Sequence, residues 1–440
     1  MRRLPHSLDW RYLVLTGVLV FLGAFQAWAQ TIRLCHNGHL PKKVLVVLTP
    51  DTLSIVANLI DTVAEIHEQD GLVGSDAFKL YIFVSSADMV AKLPNPVERI
   101  KQYCEFDTTL LISDFWMQDM GEFCAIERDG TWREGIFDSR RGRGLAKVMP
   151  HLANIWQQDY LINPSTAFSD GDYGGNIEVT PENILYYGDT MTSACESFLL
   201  RHGYSGRAVK LETSWLRVGH VDEYLSFIPS RRSPCGYAIV KADPSYALDL
   251  LESATDEDFA HFGSSDRAYF MRLRAALRNP AQWTNTSQAQ NIRVNRKITE
   301  IIDRNVAYLI KRIRAITNQP YLEIPVVSWP TLFHNSNNGD AVVQCVANLP
   351  GVANHLVLRD HLIVPEPCFP PFKRAVEARF RAQGNKVHFI YNRTFHQNSG
   401  QIHCGTNVRR GIERTFITPQ EAAAVAALRA NFDRLHQDSN

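Results

Sequence analysis

Lys43-Val44-Leu45-Val46-Val47-Leu48-Thr49 is the stretch on which the fold class turns. It is an unbroken apolar run, rich in β-branched residues and ended by the turn signal Pro50-Asp51, which is the pattern of a buried strand. Directly after it, Leu53, Ile55, Val56, Leu59, Ile60, Val63 and Ile66 recur at helical spacing. Phe78 to Ser85 and Thr108 to Ser113 read as two further strands. A buried strand, an amphipathic helix and more strands in succession predict an α/β protein.

The alternation continues downstream. Strands are expected over Ile184 to Tyr187, Arg207 to Leu211, Tyr224 to Pro229, Gly236 to Lys241, Leu322 to Val327, His355 to Val364 and Lys386 to Tyr391. Helices are expected around Cys195 to His202 and from Pro244 to Glu252, the latter with Asp243 or Ser245 as cap. Gln288 to Ile316 reads as one long helix or two, and Phe369 to Gln383 as another. Thr418-Pro419-Gln420-Glu421 is a capping box with proline at the first helical position, opening an alanine-rich helix to about His436. Residues 30–42 read as a short leader. No linker, low-complexity segment or repeat divides residues 43–416, so they are read as one domain.

Composition narrows the partners. Lysine plus arginine and aspartate plus glutamate each number 46, so the formal net charge is zero. No general attraction to nucleic acid or to an anionic membrane is expected. Arg2, Arg3 and Arg11 flank the apolar run Leu13 to Phe25, and Ala27-Trp28-Ala29 precedes Gln30. This reads as a secretory signal over residues 1–29, hence an exported protein with no membrane span after cleavage; the alternative is an uncleaved anchor. Eight cysteines are widely and irregularly spaced with no CxxC pair, which disfavours zinc. Export permits disulfides. Reserving one cysteine for chemistry leaves seven, so at least one more is free. Asn285-Thr286-Ser287 and Asn392-Arg393-Thr394 are glycosylation sequons.

The candidate chemistry lies in three patches. In His403-Cys404-Gly405, Cys404 follows the polar turn Asn398-Ser399-Gly400 and precedes a strand-like run, which suggests an open backbone around a reactive thiol. Asp119 in Trp116-Met117-Gln118-Asp119 and Asp222 in His220-Val221-Asp222-Glu223 are two carboxylates. Brought together they call for a cation between them, and a planar guanidinium matches. His220 and Asp222 share a face if the segment is a strand, and His220 is the candidate acid/base. His403 points away from Cys404 in an extended segment and ranks below His220. A separate oxygen-rich group, Gln118, Glu122, Asp138, Ser139 and Glu178, suits calcium better than a transition metal.

Taken together these stretches resemble the catalytic domain of the protein-arginine deiminases. The matching residues include Trp116 to Asp119, Phe137 to Ser139 with Arg141 and Arg143, Gly175 to Val179, Trp215 to Phe227, His361 to Pro365, and His403 to Arg410. The resemblance implies a five-bladed α/β propeller of the pentein class, built from ββαβ modules around a central active-site funnel. It implies a catalytic domain over 30–417, after the signal and before a helical extension over 418–440, without the immunoglobulin-like domains of the animal enzymes. It also implies hydrolysis of peptidyl-arginine to peptidyl-citrulline and ammonia, with arginine-containing proteins or peptides as partners.

Carried over by position, Cys404 attacks the guanidinium carbon, Asp119 and Asp222 grip its nitrogens, and His220 is acid and then base. Trp116 and Val218 line the substrate stem, and Arg141 and Arg143 stand near the site mouth. Gln118, Glu122 and Glu178 with backbone oxygens of Gly174 and Ile177 match one calcium site. At a second, Asp138 and Ser139 remain but Met120 and Gly142 replace oxygen ligands, so one calcium at most is expected. Asn398 stands where a substrate-loop residue is often arginine. The alternatives are a deiminase of free arginine or agmatine, a non-catalytic secreted propeller, and a cysteine protease. The protease is disfavoured because a scissile amide needs an oxyanion hole rather than two anions.

Overall fold

A computed structural model describes residues 30–411 apart from Phe168, Asn285 and residues 336–338. The signal expected over residues 1–29, the helix expected after Thr418 and the acceptor of the first sequon therefore lie outside the described residues.

The stretch from Lys43 is a buried strand, Pro41–Leu48, whose last five residues are fully covered. It pairs in parallel with Lys79–Val84 across the helix Leu53–Asp70, and antiparallel with Asn407–Arg410 from the far end of the described chain. Among the described residues the same unit recurs in five mixed sheets, each with an antiparallel pair followed by a helical crossover to a parallel strand. The other four antiparallel pairs are Gly121–Arg128 with Thr131–Asp138, Ile177–Val179 with Leu185–Gly188, Leu225–Pro229 with Tyr237–Asp243, and Leu356–Leu358 with His361–Pro365. Their crossovers run through Val148–Ile155, Ser193–Leu199, a three-helix excursion ending in Ser287–Thr317, and Pro370–Gln383. Each helix lays its apolar stripe on its sheet, which buries the strands and leaves the turns between modules free to carry function.

Several expectations need correction. Residues 30–42 are not merely a leader: Ile32 and Leu34 are buried, and Thr31–Leu34 pairs with Gly121–Arg128. The hairpin that receives it, Gly121–Arg128 with Thr131–Asp138, has no counterpart in the sequence reading. The third strand of the first sheet is Cys104–Asp107, not 108–113. It stops because Asp107 Oδ1 accepts from Thr109 N at 3.0 Å and Thr109 Oγ1 at 2.7 Å, closing a turn. Residues 355–364 form two strands rather than one, because Arg359 adopts φ 61° and turns the chain. The strand expected over 322–327 is Val326–Pro330. Gln288 to Ile316 lies inside one continuous helix, Ser287–Thr317, and Asp243 caps Pro244–Ser253 by accepting from Tyr246 N.

Candidate active site

The three chemical patches sit in short turns that precede the first strands of three different modules. His220, Asp119, Asp222 and Cys404 are each at least nine-tenths buried. Trp116 precedes the single turn Met117–Met120, and that turn is tied to the cysteine by Gln118 N donating to Cys404 O at 3.1 Å. Asn407 Nδ2 holds its far end by donating to Gly121 O at 2.8 Å. His220 and Asp222 do not lie on a strand: His220 caps the turn Val221–Glu223, and Glu223 Oε1 accepts from the Gly219 and His220 amides at 3.1 and 3.0 Å. The turn sends the two side chains to different partners.

His220 Nε2 lies 2.8 Å from Asp170 O. A carbonyl only accepts, so Nε2 carries the proton and Nδ1 faces the site, 3.8 Å from Asp119 Oδ1. Asp222 Oδ2 accepts from His403 Nδ1 at 2.8 Å and lies 3.7 Å from Cys404 Sγ. Asp222 Oδ1 is buried with no protein partner. Gly175 makes this convergence possible: a Cβ there would meet His220 Nδ1 at 2.6 Å and both Asp222 oxygens within 3.2 Å.

A cavity of about 120 Å³ opens onto Cys404, lined by Trp116, Asp119, Arg143, Val218 and His220 among others. Trp116 and Val218 thus line the cavity that reaches the thiol. Arg143 is two-thirds exposed at the mouth, 3.4 Å from Asp114. Arg141 is not at the mouth: it is 5% exposed, stacked 4.6 Å over Tyr173, and lies 3.2 Å from Asp119 Oδ2. The resting site therefore already presents one guanidinium to Asp119. His403 is also closer to the chemistry than an extended backbone would allow, because residues 402–405 form a turn.

The electrostatics are those of a site waiting for a cation. Burial pushes the Cys404 thiol well up, and the Asp222 and Asp119 carboxylates push it further. Burial likewise raises Asp119 to about 6, with Asp222 and Asp114 adding to the rise and His220 and Arg141 opposing it. For His403, burial works downward, but the Asp222 hydrogen bond and the Glu178 and Asp222 charges outweigh it and favour the imidazolium.

The two oxygen-rich groups differ in their fit to calcium. Burial, and then repulsion from Glu178 and Asp222, pushes Glu122 well up; burial lifts Glu178 to about 7. A Cβ on Gly174 would meet Gln118 O at 2.2 Å and Glu122 Oε1 at 2.7 Å, so backbone and carboxylate oxygens crowd one point. Glu122 Oε1 accepts from Gln118 Nε2 at 2.7 Å, and two repelling carboxylates, Glu122 buried and Glu178 nearly so, beside carbonyl oxygens fit a hard divalent ion. The second group does not: Asp138 accepts from Arg140 N and Tyr160 OH, Ser139 Oγ donates to Asp119 O, and Met120 is buried among apolar side chains.

With this geometry in place, comparison with known proteins is direct. The family model for protein-arginine deiminase matches residues 182–415, more than half of the chain. The chain belongs to the protein-arginine deiminase family. Protein-arginine deiminase type-4 of Mus musculus is 27% identical over 330 residues, covering 68% of this chain and 47% of that protein. The type-1 protein of Homo sapiens is 28% identical over 329 residues, covering 68% and 46%. The chain thus spans about half the length of the curated relatives it matches. A structure from Porphyromonas gingivalis, provisionally named an arginine deiminase, superposes with a TM-score of 0.54 at 15% identity, covering 86% of this chain and 98% of that one. A C. jejuni agmatine deiminase gives 0.50 at 14% identity, covering 87% and 98%. Identities this low show the fold alone: a mixed α/β protein of the pentein kind.

Several groups at the family site escaped the sequence reading. Asp114, Asp170 and Tyr173 surround Arg141. Asn354 accepts from Cys404 N through its side chain at 3.1 Å. Asn176, fully buried, accepts from Gly188 N and Val221 N at 2.8 and 3.2 Å. Nothing in the local sequence marks the first four, whereas Asn176 lies inside the matching stretch Gly175 to Val179 without a role assigned to it. All eight cysteines are free, which fits a protein relying on packing rather than on cross-links.

Proposed function

We propose that this chain hydrolyses peptidyl-arginine to peptidyl-citrulline and ammonia. The observation that carries the reading is the convergence of Asp119, His220 and the Cys404 thiol on one cavity, with Asp222 Oδ2 3.7 Å from the sulfur. The substrate guanidinium binds to Asp119 and Asp222, with its aliphatic stem along Trp116 and Val218. Its positive charge offsets the two carboxylates that hold the thiol protonated, so substrate binding itself favours the thiolate. The thiol proton passes to His220 Nδ1, making the imidazolium, as Sγ bonds to the guanidinium carbon. The tetrahedral adduct collapses by breaking one C–N bond, and His220 Nδ1 supplies the proton that leaves with ammonia. The same nitrogen next takes a proton from water attacking the thiouronium carbon, and the C–S bond breaks to release citrulline and the thiol.

Arg143 at the mouth is read as the contact to substrate backbone, and the five mixed sheets as the blades of a five-bladed propeller around this funnel. Gln118, Glu122 and Glu178, with Gly174 and Ile177 carbonyls, are read as a single calcium site. Calcium bound there would relieve the repulsion between Glu122 and Glu178. The signal-like residues 1–29 support export, and among the described residues no helix is long and apolar enough to cross a membrane.

The test is citrulline release from an arginine peptide blocked at both ends, with calcium and with a chelator, beside free arginine and agmatine. We expect turnover of the peptide and loss of it in Cys404→Ser. Turnover of the free compounds alone would replace this reading with a small-molecule deiminase.

A further inference from the structure

We infer that Asn354 is a positioning residue for the nucleophile, a role that rests on the reading of Cys404 above. Its side-chain Oδ1 accepts from Cys404 N at 3.1 Å, its backbone oxygen accepts from His403 N at 3.2 Å, and its Nδ2 donates to Asp222 O at 3.3 Å. One carboxamide therefore spans the turn that carries the thiol and the turn that carries the acceptor carboxylate. The residue comes from neither turn. It lies just before the strand Leu356–Leu358, in a different module, and is 2% exposed.

The bridge does two things. It fixes Sγ relative to Asp222, and so relative to a guanidinium held by that carboxylate. It also occupies the Cys404 amide proton. Backbone amides beside a thiol ordinarily stabilise its thiolate; here that proton points into Asn354 instead. The charged groups around the sulfur are then Asp222, Asp119, Glu223 and, across Asp222, His403. With its own amide engaged, the Gln401 backbone is left to favour the thiolate against the Asp222 and Asp119 carboxylates, and the thiol depends on an incoming cation to offset them.

The experiment compares wild type, Asn354→Ala and Asn354→Asp in two readouts. The first is citrulline kinetics. Misplacing a reacting atom by about 1 Å costs roughly 100-fold in rate, so Asn354→Ala should lose kcat by that order while KM stays within about threefold, because Asp119 and Trp116 remain. The second is the pH profile of iodoacetamide labelling of Cys404 without substrate, read by peptide mass spectrometry. Alanine frees the amide proton and should move the profile to lower pH. Aspartate keeps an acceptor but adds an anion, and should move it to higher pH. Opposite shifts support the assignment. Wild-type labelling profiles in both variants would overturn it, as would variants whose only change is a lower melting temperature. If alanine does not fold, the isosteric aspartate decides by itself. Should wild type release no citrulline from any arginine compound, the deiminase reading falls, while the labelling profiles still decide the role of Asn354.

Discussion

Replacing Asp222 with asparagine should make Cys404 more reactive toward an alkylating agent while destroying turnover. Asp222 Oδ2 lies 3.7 Å from Cys404 Sγ, and both groups are buried. At an effective dielectric constant of about 20, two unit charges at that distance repel by roughly 4 kcal/mol, or about a thousandfold in thiolate fraction at fixed pH. The His403 imidazolium on the same carboxylate offsets part of this, so we expect labelling at neutral pH to rise by about ten- to a thousandfold. Citrulline formation should fall by at least about a hundredfold, because the guanidinium loses one of its two anions and the remaining geometry loosens. The assay is iodoacetamide labelling of Cys404 followed by peptide mass spectrometry, alongside citrulline release. Labelling no faster than in wild type would refute the idea that the empty site suppresses its own nucleophile electrostatically.

Other consequences test the surrounding structure. Glu178 sits at about 7 in the folded chain, above the ordinary carboxylate value, because of burial first and Asp222 second. The folded state therefore holds a proton that the unfolded state has released. Stability should be fullest below about pH 4.5 for this group and decline as pH rises toward 7. Glu178→Gln should raise the melting temperature at pH 8, and calcium should raise it in wild type but not in a Glu122→Gln/Glu178→Gln double variant. Calcium-independent melting of wild type would remove the ion from the account. Asn176→Ala leaves the Gly188 and Val221 amides without their acceptor; it should cost roughly 2 kcal/mol or more and weaken turnover through the His220 turn, checked by urea unfolding and citrulline release.

The motif patches were legible in the sequence because each keeps its chemistry within a few residues: Trp116 to Asp119, His220 to Glu223, His403 to Arg410. Their backbone form was not. His220 and Asp222 look like alternate residues of a strand, yet Glu223 folds back to cap the amides before it and makes a turn. The resemblance places Arg141 near the site mouth beside Arg143, but Arg140 and Arg143 both have positive φ and the chain between them turns inward to Tyr173. The strand at 31–34 was invisible because four residues of alternating burial carry little signal until a partner hairpin is present.

By itself, then, the sequence determined the class of the fold and supplied the candidate reacting groups. Apolar runs and helical spacing are local properties, and a cysteine, a histidine and two aspartates in those contexts are what the proposed reading takes to select a guanidinium by charge and shape. Only the tertiary structure decided how those groups act. Asn354 and Asn176 join turns far apart in the chain, and Arg141 reaches Asp119 across the paired ends of the Gly121–Asp138 hairpin. The thiol is suppressed because burial brings Asp119 and Asp222 against it. Such effects depend on distance and desolvation between segments remote in sequence, and no local pattern records them.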